Sequence, residues 1–328
     1  MNNFKKILIL VLLLSLSISL AACGKTPDDG KTDTKEPENV ETPAEKEGET
    51  TEASGGKDIV IAVNAEIISL DPHDTSDTLS NTARDIVYEG LMEYTPEMEL
   101  VPCLAEKYEV SDDGLEYTFY LREGIKFHDG EDFNSEAVKK SFERVKDEAN
   151  ALRRMRDLAY VETVEIIDDY TVKLHLTDPY APMLSRLAGI KIMSPKLVEA
   201  GKDEILKHPV GTGAYVFEKW TPGEGYVAKK NPDYWREGPK VDSITMKAVV
   251  ENGARIAMLQ TGEADFIYPL PTEQVNAIKD DPNINIIEGP STIARFAFIN
   301  MTKEQFKDKR VRQAMNYAVD KQAYAQIV

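Results

Sequence analysis

Residues able to bind a metal or transfer a proton are sparse in this chain of 328 residues. The histidines are His73, His128, His175 and His208, and none belongs to a His-Glu-x-x-His helix. Asp71 and His73 lie in one loop, but two ligands are too few for zinc. An aspartate before a proline is more typical of a turn. We therefore expect no metal site and no zinc enzyme.

The glycine and serine motifs of nucleotide-binding and hydrolytic enzymes are also missing. Gly211-Thr212-Gly213 lacks the third glycine of a dinucleotide loop and leads into a strand pattern. The sequence has neither a phosphate-binding Gly-x-x-x-x-Gly-Lys-Ser/Thr loop nor a Gly-x-Ser-x-Gly elbow. The acidic pairs Asp112-Asp113 and Asp168-Asp169 lie at predicted hairpin turns. The pattern predicts a binding module without a cofactor, with a hydrolase of unrecognised site as the alternative.

The charge of the chain excludes another class of function. The net charge is −18, and no basic face is visible that would bind the phosphates of a nucleic acid. The basic triplet Arg153, Arg154 and Arg156 is expected to be a solvated helix face, with a binding patch as the alternative. We expect no nucleic-acid partner.

The first residues have the pattern of an export signal. Lys5 and Lys6 precede the apolar run Ile7–Leu20, which is too short to span a bilayer comfortably and is typical of a signal peptide. The sequence Leu-Ala-Ala-Cys-Gly around Cys23 resembles the bacterial lipobox, in which the cysteine is acylated. We expect residues 1–22 to be a lipoprotein signal peptide and Cys23 to carry lipid. The alternative is an ordinary secretory peptide with an incidental cysteine.

A polar segment follows the predicted lipid site. Residues 24–57 are rich in Lys, Glu, Asp, Thr, Pro and Gly and contain no aromatic residue. Such a composition buries too little surface to offset the entropy of ordering. We expect residues 23–57 to be a lipid-anchored, disordered, acidic tether. Cys103 then has no disulfide partner, and its apolar neighbours predict a buried thiol.

The remaining chain alternates strand and helix patterns, which predicts an α/β fold. The stretch from His208 to Val250 is rich in strand patterns, separated by turn signals such as Pro222-Gly223. The predicted strands are 59–63, 117–122, 161–167, 171–176, 216–220, 226–229, 244–250, 284–288 and 293–299. The predicted helices include 77–91, 179–187, 254–260 and those beginning at Asn134, Pro195, Thr272 and Asp308. The Asn134 helix should bury Val138, Phe142 and Val145, and the Asp308 helix carries the apolar face Val311, Met315, Ala318 and Val319.

Several long strings resemble one family. They are Pro209 to Tyr215 (PVGTGAY), Lys230 to Trp235 (KNPDYW), Leu259 to Asp265 (LQTGEAD), the block Leu104 to Gly130, and Lys309 to Asp320. With their spacing, these strings are similar to the peptide, nickel and glutathione class of solute-binding proteins of ABC importers. The resemblance runs from about Ile59 to the last residue.

The resemblance implies the two-lobed type II periplasmic-binding architecture, with an extra β-rich subdomain in the first lobe. Residues 58–290 would be the first solute-binding lobe, and residues 291–328 would begin the second, with the crossing at Gly289-Pro290-Ser291. Family members are substantially longer, so we expect the second lobe to be largely missing, the chain to be C-terminally truncated and its solute binding to be very weak.

The resemblance also implies extracytoplasmic capture of a small solute by closure of two lobes. A dipeptide, an oligopeptide or glutathione is the expected solute, and an ABC permease with its ATPase subunits is the expected partner on the outer face of the cytoplasmic membrane. Arg295 is the candidate for the solute carboxylate, and Glu66 and Asp77 are candidates for polar contacts. The alternatives are binding of a nickel chelate or another small solute, or a non-binding truncated surface lipoprotein.

Overall fold

A computed structural model describes residues 57–289 and 296–327 of the chain. The predicted signal peptide, Cys23, the tether as far as residue 56 and Arg295 lie outside the described residues. The strands are β1 (Asp58–Val63), β2 (Met92–Tyr94), β3 (Leu100–Pro102), β4 (Ala105–Val110), β5 (Glu116–Leu121), β6 (Val161–Asp168), β7 (Thr171–Leu176), β8 (Tyr215–Thr221), β9 (Gly225–Lys230), β10 (Ser243–Ala248) and β11 (Phe266–Tyr268). The α-helices are α1 (Thr78–Asp85), α2 (Ser135–Lys146), α3 (Met183–Leu187), α4 (Pro195–Ala200), α5 (Lys202–Lys207), α6 (Asn252–Thr261), α7 (Thr272–Ile278), α8 (Glu304–Lys307), α9 (Lys309–Ala318) and α10 (Lys321–Ile327). Short 3₁₀ helices span Glu148–Asn150 and Arg153–Leu158.

A five-stranded mixed sheet has the order β11-β1-β10-β9-β8. β1 runs parallel to β10 and to β11, whereas β8, β9 and β10 are antiparallel neighbours. The predicted strands between His208 and Val250 are these three, so the sequence interpretation of that stretch is confirmed. A hydrophobic cluster behind the sheet includes Val63, Leu79 and Tyr226.

A second, antiparallel sheet has the order β4-β5-β7-β6 and packs against α2. Asn134 caps α2, because its side chain accepts a hydrogen bond from the backbone N–H of Ala137 at 3.1 Å. The predicted apolar stripe Val138, Phe142 and Val145 is fully buried against the sheet. The sheet and α2 share one hydrophobic cluster, which includes Leu104, Phe119 and Leu174.

The helix predicted over 77–91 ends early, at Asp85. Beyond it, backbone carbonyls that a longer helix would use accept hydrogen bonds from distant segments. Ile86 accepts from Tyr215, and Val87 accepts from Gly213. A tertiary partner for each carbonyl replaces the helical one, and a helix pattern alone cannot reveal such partners.

The strand predicted at 284–288 is wrong. These residues carry no regular secondary structure, and most of them are exposed. Residues 296–299 are also irregular, and residues 293–295 of that predicted strand are outside the described part. A strand needs a neighbour to accept its hydrogen bonds, and the described residues supply none here. The last predicted helix is α9, on which Val311 and Met315 are exposed.

No helix among the described residues is both long enough and apolar enough to cross a membrane.

Candidate functional site

The mixed sheet brings three chain segments together at one edge. β1, β10 and β11 are parallel, and Val63 is in register with both Ala248 and Tyr268. The segments that follow these strands are residues 64–69, 249–251 and 269–271, which we call the loop edge. Ligands of open α/β sheets bind beyond the carboxyl ends of the strands. The loop edge is therefore the candidate functional site.

Apolar side chains at the loop edge face solvent. Ile68 is 72 % exposed and Val250 is 73 % exposed, and Tyr268 at the end of β11 is 40 % exposed. All three lie at or just beyond the carboxyl ends of the parallel strands, where ligands of open α/β sheets bind. The loop edge can thus make apolar contacts with a solute.

A small depression lies between residues 64–69 and the β8–β9 hairpin. Its lining includes Val63, Glu66, Ile67, Trp220 and Met246. Glu66 is exposed, and its carboxylate has no hydrogen-bond or ion-pair partner among the described residues. A free carboxylate beside an aromatic ring can receive an ammonium or amide group. The structure therefore places the sequence-predicted Glu66 in the candidate site.

Asp77 lies apart from this depression, at the start of α1. Its carboxylate accepts a hydrogen bond from the backbone N–H of Ser80 at 2.8 Å and one from the Thr75 hydroxyl at 3.2 Å. Burial raises the pKa of Asp77, but these hydrogen bonds outweigh burial and hold the pKa below its usual value. Asp77 is an N-cap, and the structure does not bring it together with Glu66.

Arg255, which the sequence did not identify as a candidate, forms hydrogen bonds to two segments of the loop edge. One guanidinium nitrogen donates to the carbonyls of Val249 at 2.8 Å and Val250 at 3.0 Å. The other donates to Asn252 Oδ1 at 2.6 Å and to the carbonyl of Pro269 at 3.2 Å. Burial lowers the pKa of Arg255. The side chain thus fixes the segment after β10 against the segment after β11.

A buried ion pair lies just beyond residues 64–69, in the same connection that follows β1. Arg144 of α2 donates to both oxygens of Asp71, at 3.0 and 2.5 Å, and to Nδ1 of His73 at 2.8 Å. His73 Nε2 then donates to the carbonyl of Lys191 at 2.7 Å. Asp71 also forms the predicted turn, since its side chain accepts from the His73 N–H. The loop is therefore anchored to α2, which the sequence did not predict.

Two of the family-like strings meet at one buried carboxylate. Glu89 accepts hydrogen bonds from the Thr212 hydroxyl at 2.8 Å, the Tyr234 hydroxyl at 2.8 Å and Trp235 Nε1 at 2.7 Å. These donors belong to the Pro209–Tyr215 and Lys230–Trp235 strings. Because all three bonds end on a carboxylate away from the loop edge, these strings stabilise the fold rather than face a solute.

The thiol and the basic triplet that the sequence singled out lie outside the loop edge and serve structural roles. Cys103 is fully buried, as predicted; burial and the nearby Glu89 raise the pKa of its thiol. Arg154 is partly buried and pairs with Asp157 at 3.3 Å, and Arg156 is exposed. The predicted solvated face therefore holds for Arg153 and Arg156, which are exposed, but not for Arg154. Among the described residues no group of histidine, cysteine and acidic side chains is arranged to hold a metal ion.

A wider open depression of about 420 Å³ lies between α2 and α4. Its charged lining is neutralised locally, since Lys140 pairs with Glu136 at 2.9 Å and with Glu199 at 2.5 Å. Surface ion pairs of this kind are common and indicate no ligand. The loop edge, with its exposed apolar groups and free carboxylate, remains the better candidate.

Residues 99–328 match the model of the bacterial extracellular solute-binding proteins, family 5 Middle. The chain is 42 % identical over 278 residues to the glutathione-binding protein GsiB of Shigella flexneri, which covers 84 % of this chain and 54 % of that protein. GsiB of Escherichia coli strain K12 matches to the same extent. The chain spans about half the length of these curated relatives.

Two solved structures share the fold. One is the ABC transporter-associated periplasmic binding protein DppA of Helicobacter pylori in complex with the peptide STSA. Its TM-score is 0.76 at 29 % identity, over 83 % of this chain and 58 % of that chain. The other is NikZ of Campylobacter jejuni in complex with Ni(L-His), with a TM-score of 0.74 at 31 % identity, over 81 % of this chain and 54 % of that chain. The α/β fold is that of the type II periplasmic binding proteins over the part covered.

Proposed function

Because the chain belongs to family 5 of the bacterial extracellular solute-binding proteins, we propose that it captures a peptide-like solute for an ABC importer. The named relatives are solute-binding proteins and not enzymes. The loop edge is the observation that carries this proposal. It exposes apolar side chains and the free Glu66 carboxylate at the carboxyl ends of three parallel strands.

The proposed solute is a dipeptide, an oligopeptide or glutathione. GsiB is named for glutathione, and DppA was solved with a tetrapeptide. Such solutes carry an ammonium group, a carboxylate and amides, and Glu66 beside Trp220 suits an ammonium or amide. The second candidate is a nickel chelate, which the likeness to NikZ with Ni(L-His) favours.

Two further contacts remain proposals. Arg295 would pair with the solute carboxylate, since a guanidinium forms two parallel hydrogen bonds to such a group. Asp77 would contribute through the lone pairs that its cap leaves free, because an ionised carboxylate has about four acceptor positions. Residues 58–290 would form the first lobe and residues 291–328 the start of the second, with closure of the two lobes around the solute.

The proposed location is the outer face of the bacterial cytoplasmic membrane. The basic and apolar start of the chain supports export, and the Leu-Ala-Ala-Cys-Gly sequence supports lipid attachment at Cys23. The acidic composition of residues 24–57 supports a tether. An ABC permease with its ATPase subunits would receive the solute.

Calorimetric titration of the 328-residue chain tests the solute class. The panel contains dialanine, a tetrapeptide, glutathione, nickel–histidine and glucose at millimolar concentration. We expect heat from at least one peptide-like member, with the weak affinity of a surface open on one side. Glu66→Gln should weaken that binding, whereas Glu106→Gln, the same change at an exposed residue of β4, should not.

Selective binding of nickel–histidine would favour a nickel chelate, the second candidate, over a peptide-like solute. No heat from any member at millimolar concentration would contradict both candidates. Equal effects of Glu66→Gln and Glu106→Gln would remove Glu66 from the site.

A further inference from the structure

Arg255 is an unusual residue to find buried beneath the loop edge. It is 1 % exposed and is among the largest fully buried side chains of the described residues. Its four acceptors are three backbone carbonyls and one side-chain amide, all of them neutral. Its Nε has no hydrogen-bond partner. Burying a charge without a bonded carboxylate is costly, and an apolar side chain would fill the same volume at lower cost.

The arrangement of the acceptors shows what the guanidinium supplies. Val249 and Val250 follow β10, and Pro269 follows β11. β10 and β11 lie on opposite sides of β1 and do not pair with each other. A planar fork with several donors can span these two segments at once, whereas an ammonium group is a single compact donor.

The bridge acts on side chains that face the solvent. Val250 is 73 % exposed, although its carbonyl is held by Arg255 from the inner side. Tyr268, which precedes Pro269, is 40 % exposed in the same way. Fixing the two backbones therefore fixes the spacing of two exposed contacts. Contacts held in place before binding cost less entropy when a solute arrives.

We propose that Arg255 is a positioning residue for solute binding: it holds the segments after β10 and β11 at the spacing that the solute requires. This inference rests on the proposed function of the loop edge. Arg255 does not touch the solute, and it acts through Val250 and Tyr268.

The test compares Arg255→Lys with wild type in titrations with glutathione and dialanine. Lysine keeps the charge and much of the length but cannot reach both segments. We expect the dissociation constant to rise by about tenfold, because the two segments must now be ordered during binding. The melting temperature is measured in parallel, since a structural role alone would change stability and not affinity.

Arg84→Lys is the matched control. Arg84 is also buried, at 6 % exposure, but donates to Asp85 at 2.9 Å and to the carbonyl of Gly189 at 3.3 Å, away from the loop edge. It should lower the melting temperature at least as much and leave the affinity unchanged. Unchanged affinity in Arg255→Lys, or equal loss in both variants, would overturn the inference.

Amide hydrogen exchange gives a readout that needs no solute. In Arg255→Lys, the amide of Val249, which donates to the Val63 carbonyl at 2.7 Å, should exchange faster than in Arg84→Lys, because only the first variant releases the segment after β10. Equal exchange would overturn the inference. If wild type binds neither probe but exchange differs as expected, the proposed solute-binding function is wrong. The role of Arg255 in holding the two segments together is then still supported. If Arg255→Lys does not fold, Asn252→Ala, which removes one acceptor of Arg255, should give the same two changes in smaller measure; their absence would overturn the inference.

Discussion

At the scale of single residues, His73 is held neutral by its neighbours. Arg144 can only donate, so His73 Nδ1 must accept and Nε2 must carry the proton that reaches the carbonyl of Lys191. Burial and the charge of Arg144 lower the pKa of His73 to about 4. A second proton on this ring would face a guanidinium at 2.8 Å. The first loop of the candidate site is therefore anchored by a group that resists protonation.

This network predicts how stability depends on pH. In the unfolded chain His73 becomes protonated below its usual pKa of about 6.5. In the folded chain it becomes protonated only below about pH 4. The free energy of unfolding should be highest above pH 6.5 and fall by up to about 1.4 kcal/mol per pH unit between those values. Urea unfolding at several pH values measures the slope.

His73→Gln can keep both hydrogen bonds and does not titrate, so it should flatten the slope in this window. Burial also lowers the pKa of His128, so His128→Gln is the control for the remaining slope. A wild-type stability that stays constant between pH 6.5 and 4 would show that His73 is protonated in the folded chain.

The lipid anchor is a second prediction at this scale. If Cys23 is acylated, the mature chain begins there and Cys23→Ala should release the protein from membranes. Mass spectrometry of the membrane fraction should find a lipid-modified N-terminal cysteine. An unmodified Cys23 in a secreted form would contradict the lipobox interpretation.

At the scale of elements, two glycines before β8 allow the chain to pack closely against the residues that follow α1. A Cβ at Gly211 would lie 2.2 Å from the Val87 carbonyl oxygen, and one at Gly213 would lie 2.6 Å from it. The backbones approach so closely because Gly213 donates to the Val87 carbonyl at 2.9 Å. Glycine is required here for close packing, and not for a nucleotide phosphate.

Gly213→Ala should therefore destabilise the fold by about 1–3 kcal/mol, the usual cost of overpacking against rigid neighbours. Thermal unfolding measures the loss. Gly238→Ala is the control, because its added Cβ would meet only the end of the Lys230 side chain at 3.7 Å. Similar losses in the two variants would show that the close approach is not what requires glycine.

Local patterns predicted the elements better than they predicted the contacts between them. β8, β9, β10 and the capped helix α2 follow from alternation, turn residues and Asn134, which are properties of neighbouring residues. The end of α1, the Asp71–Arg144 pair and the Arg255 bridge depend on partners far along the chain. Glu66 was proposed because it follows the first strand, and its role stays a prediction. Arg255 gave no signal apart from its place on a predicted helix.

At the scale of the molecule, the candidate site is an open surface that can contact a solute from one side only. Ile68 and Val250 are exposed, and no described residue covers them. Small-molecule sites commonly bury roughly 70–90 % of the ligand surface. A solute on the loop edge alone would be buried much less, so its dissociation constant should be weak, roughly millimolar. Closure of a second lobe over the loop edge would supply the remaining contacts.

The loop edge should be the surface that contacts the solute. NMR of the isotope-labelled 328-residue chain, titrated with glutathione and with dialanine, can test this because it both detects weak binding and locates it. Backbone shifts should concentrate in residues 64–69, 249–251 and 269–271 and be absent from β4, β5, β6 and β7. Shifts that concentrate on the antiparallel sheet or between α2 and α4 would show that the solute binds elsewhere. No shifts at millimolar solute would show that this chain does not bind it.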